Sequence, residues 1–469
     1  MKLGKLLKSF RSSDIQIDGE FSDLQIFGLS YDSRTVSPGD LFFCLKGEHG
    51  DGHNFVLEAI ANGACALVVE RKVNAEILQI VVSNPRSTMG DIAEIFYGFP
   101  SREITSVGVT GTNGKTTTIS MLSEIAKAAG ESPATIGTLT GQLTTPEAPE
   151  VQRQIRSFVQ EGASFLAMEV SSHALNQNRI SMMSYDATIF TNLTLDHLDY
   201  HGDMENYYRA KSKLFTADHS KLAVVNADNS FGQRLLNEIS IPKLSFSLAD
   251  IEVINQTLSK TTFKWGRQLI ELNLPGKFNL ENALGAAVAS EALGIDREDI
   301  AQGLGNMSGV PGRFQMIQHS ENQPYVIIDY SHTPDGLERS LLMIKELSHE
   351  GEVHVVFGCG GDRDDSKRPE MGRISERLAS NVYLTSDNPR SENQIAIIND
   401  ILSGIKDVNR VYVNPDRRVA IHHAVKSADK NDIVLIAGKG CEPYQEINGT
   451  LSSFLDIDVG REALEARQK

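Results

Sequence analysis

The chain has 469 residues, 40% of them hydrophobic and 23% charged, values of an ordinary globular protein that exclude wholesale disorder, collagen and a continuous coiled coil. At roughly 100 to 200 residues per domain the length predicts two to four domains, each able to bury its own core. The 61 acidic and 45 basic residues leave a net charge of −16, which argues against a nonspecific nucleic-acid or anionic-membrane binder but leaves room for an anionic small substrate in a locally basic pocket.

Lys5, Lys8 and Arg11 interrupt the apolar residues that follow Met1, so no signal peptide is expected. No apolar run reaches the ~18 residues of a membrane helix, so a soluble protein without membrane insertion is expected. Cys44, Cys65, Cys359 and Cys441 are scattered without zinc-ligand spacing or a disulfide framework, which points to a reducing cytoplasm. Strand-like runs alternate with helix-like ones over most of the chain, the signature of α/β architecture.

Three regions separate. Residues 1–99 carry short strands over 40–45 and 66–69 and lack a phosphate loop. After Pro100-Ser101-Arg102-Glu103 comes a buried strand over 104–109, then a helix over 115–129 closed by Gly130. Further strands are expected over 165–170, 187–193 and 222–226, followed by an Ala-rich helix that begins near Leu280. The pair Pro311-Gly312, beside Arg313, breaks structure and ends a region of residues 100–313. In residues 314–469, strands over 326–329, 353–357, 382–385, 411–413 and 433–436 alternate with helical segments, which predicts a second doubly wound domain.

The strongest chemical signal is Gly108-Val109-Thr110-Gly111-Thr112-Asn113-Gly114-Lys115-Thr116-Thr117, between a strand and a helix. Glycines let backbone N–H groups approach phosphate, the helix N-terminus adds partial positive charge, Lys115 reaches the outer phosphates and Thr116 offers an oxygen to Mg²⁺. The loop is a variant, because five residues separate Gly108 from Gly114 and only two separate Gly111 from it. Downstream, Glu169-Val170-Ser171-Ser172-His173 and Asp196-His197-Leu198-Asp199-Tyr200-His201 stand at strand ends, at the sheet edge where active-site groups collect. Glu169 and His197 are candidate metal ligands beside the nucleotide phosphates. Taken alone, Lys211 and Lys213, on a helix over 204–215, read as two solvated lysines.

Gly111 to Thr117, Glu169 to His173, Asp196 to His201 and Ala210-Lys211 together resemble the Mur ligases, the ATP-dependent amide-forming ligases of peptidoglycan synthesis. The likeness runs almost end to end, from Tyr31-Asp32-Ser33-Arg34 to Gly438-Lys439-Gly440. It implies three α/β domains. An N-terminal one (1–99) holds the UDP-sugar, a central ATPase-like one (100–313) binds ATP, and a Rossmann-like one (314–469) receives the amino acid. ATP would be held by Gly111, Thr112, Asn113, Gly114, Lys115, Thr116, Thr117, Asn282, Arg313 and Asp329. Ser33, Glu48, His49 and Gly50 would contact the UDP-sugar, and Thr144, Thr145, Ser171, Gln177 and Arg179 its muramoyl-peptide end; turn chemistry is the other reading of these Thr and Ser residues.

The resemblance also changes Lys211, which the family carbamylates, converting an ammonium into a carboxylate-bearing group. The implied metal set is then Thr116, Glu169, His197 and carbamylated Lys211 around Mg²⁺, with Lys115, Lys211, His197 and Glu169 as the catalytic groups. The implied acceptor is meso-diaminopimelate, joined to UDP-N-acetylmuramoyl-L-alanyl-D-glutamate and held by Arg363, Asp387, Asn388, Pro389, Arg390, Gly438 and Glu442. Chemistry favours Arg390 for that task, since a guanidinium fork binds a carboxylate and repels an ammonium. The departure is Cys441, where the family commonly has His; a thiol nucleophile is its other reading. L-Lysine as acceptor, a folate-polyglutamating ligase, and a nucleotide-dependent switch without ligase activity are the alternatives. A monomer without nucleic-acid partners is expected.

Overall fold

The computed structural model describes residues 1–10, 15–18, 21–47, 50–141, 143–317, 322–348 and 350–467. Near the N-terminus, five strands lie in the spatial order Gln16–Asp18, Leu78–Val81, Ala66–Val69, Asp40–Phe43, Gly28–Ser30, parallel except for the first pair. Leu41 to Phe43 and Ala66 to Val69 are buried at every position, because helices and loops cover both faces of the parallel strands and leave no polar side to alternate with. The strand expected over 40–45 stops at Phe43, and Leu45 turns its carbonyl to the Gly52 N–H.

The second sheet is wholly parallel, in the order Lys243–Phe246, Ala223–Asn226, Ala187–Phe190, Thr105–Thr110, Phe165–Glu169, Pro133–Ile136. Chain order reverses between Thr105–Thr110 and Ala187–Phe190, which opens a crevice beyond their C-terminal ends, the usual place for a ligand in such a sheet. The helix Lys115–Ala128 starts there and ends at Gly130, whose φ of +80° a glycine adopts without strain. The strand expected to reach residue 193 stops at Phe190. Thr191 and Asn192 leave the ladder to bind the phosphate loop: the Thr191 hydroxyl donates to Asn113 O at 2.6 Å, and Asn192 Oδ1 accepts from Asn113 N at 2.9 Å. A three-stranded antiparallel sheet absent from the sequence reading, Ile251–Gln256, Thr261–Trp265 and Gln268–Leu272, closes the core with Phe263, Trp265 and Ile270.

The last large sheet runs Gln315–Ile317, Tyr325–Asp329, Ile433–Ala437, Val353–Phe357, Asn381–Leu384, Val411–Val413, parallel except for the first pair. Helices Pro334–Leu347, Lys367–Leu378 and Gln394–Leu402 bury one face, and Arg417–Ser427 with Asp456–Arg467 the other. The loops that follow Val353–Phe357, Asn381–Leu384 and Ile433–Ala437 all carry candidate site residues.

Candidate active site

Between the strand Thr105–Thr110 and the helix Lys115–Ala128, the phosphate loop packs so closely that its glycines admit no substitute. A Cβ on Gly114, at φ +90°, would lie 2.2 Å from Asn282 Oδ1, and one on Gly111 would lie 1.9 Å from Thr191 Oγ1. Lys115 folds back and donates to the carbonyls of Gly111 and Thr112, each at 2.9 Å. Lys211 reaches the same loop from the helix Met204–Ser212 and donates to Gly111 O at 2.8 Å. The solvated reading of Lys211 is therefore overturned. Its side chain is 1% exposed, and burial, with the Lys115 ammonium beside it, pushes its pKa well below the usual lysine range. Lys213, in the short 3-10 turn that succeeds the helix, is exposed as expected.

Glu169 closes its strand at 1% exposure, with Oε1 accepting from Thr138 N at 2.9 Å and Oε2 from the Thr138 hydroxyl at 3.3 Å. His197, at φ +55°, starts the helix Leu198–His201 with its Nε2 3.4 Å from Asp196. Burial lowers its pKa to about 4, against the pull of Asp196 and with help from Lys211 and Lys115, so the imidazole is neutral at pH 7. His173 and His201 pack edge-on to each other, ring centroids 5.5 Å apart, and burial holds both at about 4. Among the described residues no group of three His, Cys, Asp or Glu side chains is arranged to hold a metal alone. The Thr116 hydroxyl and the Glu169 carboxylate are the hard oxygen donors that Mg²⁺ takes, with phosphate and water to complete its shell.

A cleft of about 630 Å³ beside the loop is lined by Asn282, Arg313 and Asp329 together with Asn113, Gly114 and Thr117. Arg313 stacks over the Tyr330 ring at 4.2 Å and donates from Nη2 to the Thr116 hydroxyl at 3.2 Å, joining the last sheet's entry strand to the phosphate loop. Asn113 makes a second such bridge, from Nδ2 to Asp335 Oδ2 at 3.0 Å. Asp329 is taken up by the wall itself: it accepts from Phe314 N at 2.9 Å, from the Ser340 hydroxyl at 2.7 Å and from the Ser331 hydroxyl.

A second, open groove of about 1460 Å³ holds Ser33 and Gly50 beside Tyr31, Phe55, Arg86 and Glu147. Glu48 and His49 lie outside the described residues. From this groove a chain of hydrogen bonds leads to Glu169. Arg86 donates to both Glu147 oxygens at 2.9 and 3.0 Å, and Arg179 lies 3.2 Å from Glu147. Arg179 also donates to Thr145 O at 2.6 Å and Gln177 Oε1 at 2.7 Å. The Thr145 hydroxyl donates to the Glu169 carbonyl at 2.9 Å and accepts from Ser171 N at 3.0 Å, while Thr144 meets the Thr138 hydroxyl at 3.1 Å.

The remaining candidates gather on three loops. Arg390, at φ +51°, donates to Gly361 O at 2.7 Å, and Gly360 packs between its guanidinium and the exposed Arg363. Pro389 O would lie 2.0 Å from a Cβ on Gly361, and Asp387 Oδ2 would lie 2.5 Å from one on Gly438. Asn388 donates to Glu442 Oε2 at 2.8 Å. Cys441 abuts Gly312, whose Cβ would lie 2.2 Å from Cys441 N. Burial pushes the Cys441 thiol up, which disfavours the thiolate a nucleophile needs.

Arg86, Thr138, Asp335 and Lys439 shape these pockets and carried no role in the sequence reading. Lys439 had one signal, its place between two glycines after a strand.

The Mur ligase middle domain model matches residues 109–290, that of the Mur ligase glutamate ligase domain residues 312–440, and that of the Mur ligase family catalytic domain residues 25–97. The chain is 42% identical over 468 residues to the UDP-N-acetylmuramoyl-L-alanyl-D-glutamate--2,6-diaminopimelate ligase of Geobacillus kaustophilus, covering 94% of this chain and 95% of the relative. It is 44% identical to the protein of the same name in Gloeobacter violaceus, covering 95% of each. A solved structure of a ligase of that name superposes with a TM-score of 0.66 at 33% identity, over 97% of this chain and 98% of the other. The MurF ligase of Thermotoga maritima, solved in complex with ADP, shares the fold at a TM-score of 0.66 and 21% identity, over 95% of this chain and 98% of that one.

Proposed function

The chain belongs to the Mur ligase family, and from that premise we propose that it joins meso-diaminopimelate to UDP-N-acetylmuramoyl-L-alanyl-D-glutamate at the expense of ATP, in the cytoplasm and as a monomer. The observation that carries this reading is the hydrogen-bonded path that runs from the Ser33 groove through Arg86, Glu147, Arg179 and Thr145 to Glu169, whose charge acts on Lys115 of the phosphate loop. Domains divided as 1–99, 100–313 and 314–469 would each contribute one pocket.

In this reading the free γ-carboxylate of the D-Glu residue attacks the γ-phosphorus of ATP, the bond to the β-phosphate oxygen breaks, and an acyl phosphate and ADP result. An unactivated carboxylate would not react with an amine at a useful rate. The amine of the incoming amino acid then attacks the carbonyl carbon, loses a proton, and the tetrahedral intermediate expels phosphate to leave an amide. Lys115 exchanges its two carbonyl partners for phosphate oxygens and offsets charge on the transferring group. Thr116, Glu169, His197 and a carbamylated Lys211 would hold Mg²⁺, which when bound supplies further charge neutralisation. Carbamylation requires a neutral amine, and the buried, lysine-flanked position of Lys211 favours one.

Thr144, Thr145, Ser171, Gln177 and Arg179 would orient the muramoyl-peptide end, while Arg390 would pair with the distal carboxylate of the acceptor and Glu442 with an ammonium. The relatives' names favour diaminopimelate over L-lysine and over a switch without ligase activity. The test is mass analysis of the product formed from ATP, the UDP-muramoyl dipeptide and each amino acid. The expected result is the diaminopimelate adduct, with phosphate release that needs both the dipeptide and the amino acid. Phosphate release from ATP alone, or equal incorporation of L-lysine, overturns the reading.

A further inference from the structure

Beneath the acceptor pocket lies a cation that touches none of the exposed pocket surface. The Lys439 side chain is 0% exposed and donates to Tyr444 O at 2.7 Å, Asn388 Oδ1 at 3.2 Å and Glu442 Oε2 at 3.2 Å. We infer that Lys439 is a positioning residue for the acceptor amino acid, fixing both the carboxylate of Glu442 and the backbone that carries Arg390; this rests on the acceptor reading above.

Asn388 transmits the effect. Its Oδ1 accepts from Lys439 and from Glu446 N at 3.0 Å, while its Nδ2 donates to Glu442 Oε2 at 2.8 Å. A flipped amide would set its NH₂ against two donors, so the buried ammonium dictates which way Asn388 points. Glu442 receives both donors on one oxygen, and its side chain, 28% exposed, keeps an outer face for a substrate ammonium. On the other side, Glu446 is held by Asn388 through its N–H and accepts from Arg390 N at 3.1 Å through its carbonyl. One cation thus sets the spacing between the group that takes an ammonium and the group that takes a carboxylate. A diamino dicarboxylic acid presents groups of both kinds.

The test is Lys439→Met, assayed on the full-length enzyme with each substrate varied in turn. The KM for meso-diaminopimelate is expected to rise about 10-fold or more, the size of the coupling between residues that share one hydrogen-bond network. The KM for ATP, the KM for the UDP-muramoyl dipeptide and kcat are expected to stay unchanged. Combined with Glu442→Gln, the loss should be smaller than the product of the two single effects, because Lys439 acts in part through Glu442. Multiplying effects, or a rise in all three KM values together, overturn the inference. Should Lys439→Met not fold, Lys439→Gln keeps a donor toward Tyr444 and is read by the same split. If Glu442→Gln and Arg390→Ala leave the amino-acid KM unchanged, the acceptor reading itself falls; if they raise it and Lys439→Met does not, only the role of Lys439 falls.

Discussion

The cations at the two ends of the crevice have different partners. At the nucleotide end, Lys115 and Lys211 rest on the neutral carbonyls of Gly111 and Thr112. At the acceptor end, each is tied to carboxylates: Lys439 to Glu442, Arg368 to Glu392 and Asp400, and Arg417 to Asp456. A carbonyl loses little when an anion displaces it, whereas a buried carboxylate deprived of its partner is strongly destabilising. The first set is poised to receive a ligand, and the second holds the frame in which a ligand is received.

The sharpest way to break this contrast is to remove one cation from each end. Lys115→Ala should lower kcat by about 1000-fold or more, since it deletes charge stabilisation at the transferring phosphoryl group. Its melting temperature should stay near that of the wild type, because only two loop carbonyls lose a donor. Lys211→Ala should be almost as inactive and should recover part of its rate in short-chain carboxylic acids, which supply an oxygen donor where the carbamate would stand. Full activity without added acid would return Lys211 to a packing role.

Arg417→Met should do the reverse. Arg417 and Asp456 are both 0% exposed and joined at 2.7 and 2.8 Å, so the variant strands a buried carboxylate and should lose about 3 to 5 kcal/mol of stability, read by denaturant unfolding. Adding Asp456→Leu should restore most of the loss, since apolar replacement of a whole buried pair is often neutral. Arg390→Ala lies between the two classes. It should cost about 30-fold or more in the preference for meso-diaminopimelate over L-lysine, measured by competition, while stability holds. An unchanged ratio would show that Arg390 does not read the distal carboxylate.

The same contrast explains what the sequence made legible. The nucleotide end is encoded in contiguous runs: Gly108 to Thr117 fixes a strand end, a tight loop and a helix start, and Glu169 ends its strand. Continuous apolar runs likewise placed the strands over 353–357 and 66–69, because these parallel strands are buried at every position. The acceptor end brings together residues 360–363, 387–390 and 438–446, and no local pattern states that Lys439 should sit under Asn388. Lys211 failed for a related reason. The helix Met204–Ser212 is rich in polar residues, yet it presses Tyr207, Tyr208 and Lys211 inward, so composition suggested solvent where packing placed the phosphate loop. The three-stranded sheet over 251–272 was missed because Ile251–Gln256 exposes most of its residues and lacks a buried run.

The smallest effect concerns the histidines behind Lys211. His201 is buried, stacked on Tyr207 at 4.9 Å, with its Nε2 2.9 Å from the Ser172 hydroxyl. Burial lowers its pKa from 6.5 to about 4, so between those values the unfolded chain binds a proton that the folded chain refuses. Stability from this group is therefore fully present above about pH 6.5 and is lost as pH falls toward about 4. His173 has the same shift and the same sign. The wild type should melt at a lower temperature at about pH 5 than at about pH 7.5, and His201→Gln, which keeps a polar group in reach of Ser172 but cannot titrate, should narrow that gap. Carboxylates titrate equally in both proteins over this window, so the difference between the two gaps isolates the imidazole. If the gap is the same in both, His201 is protonated without penalty and the cluster around Lys211 is wetter than its packing implies.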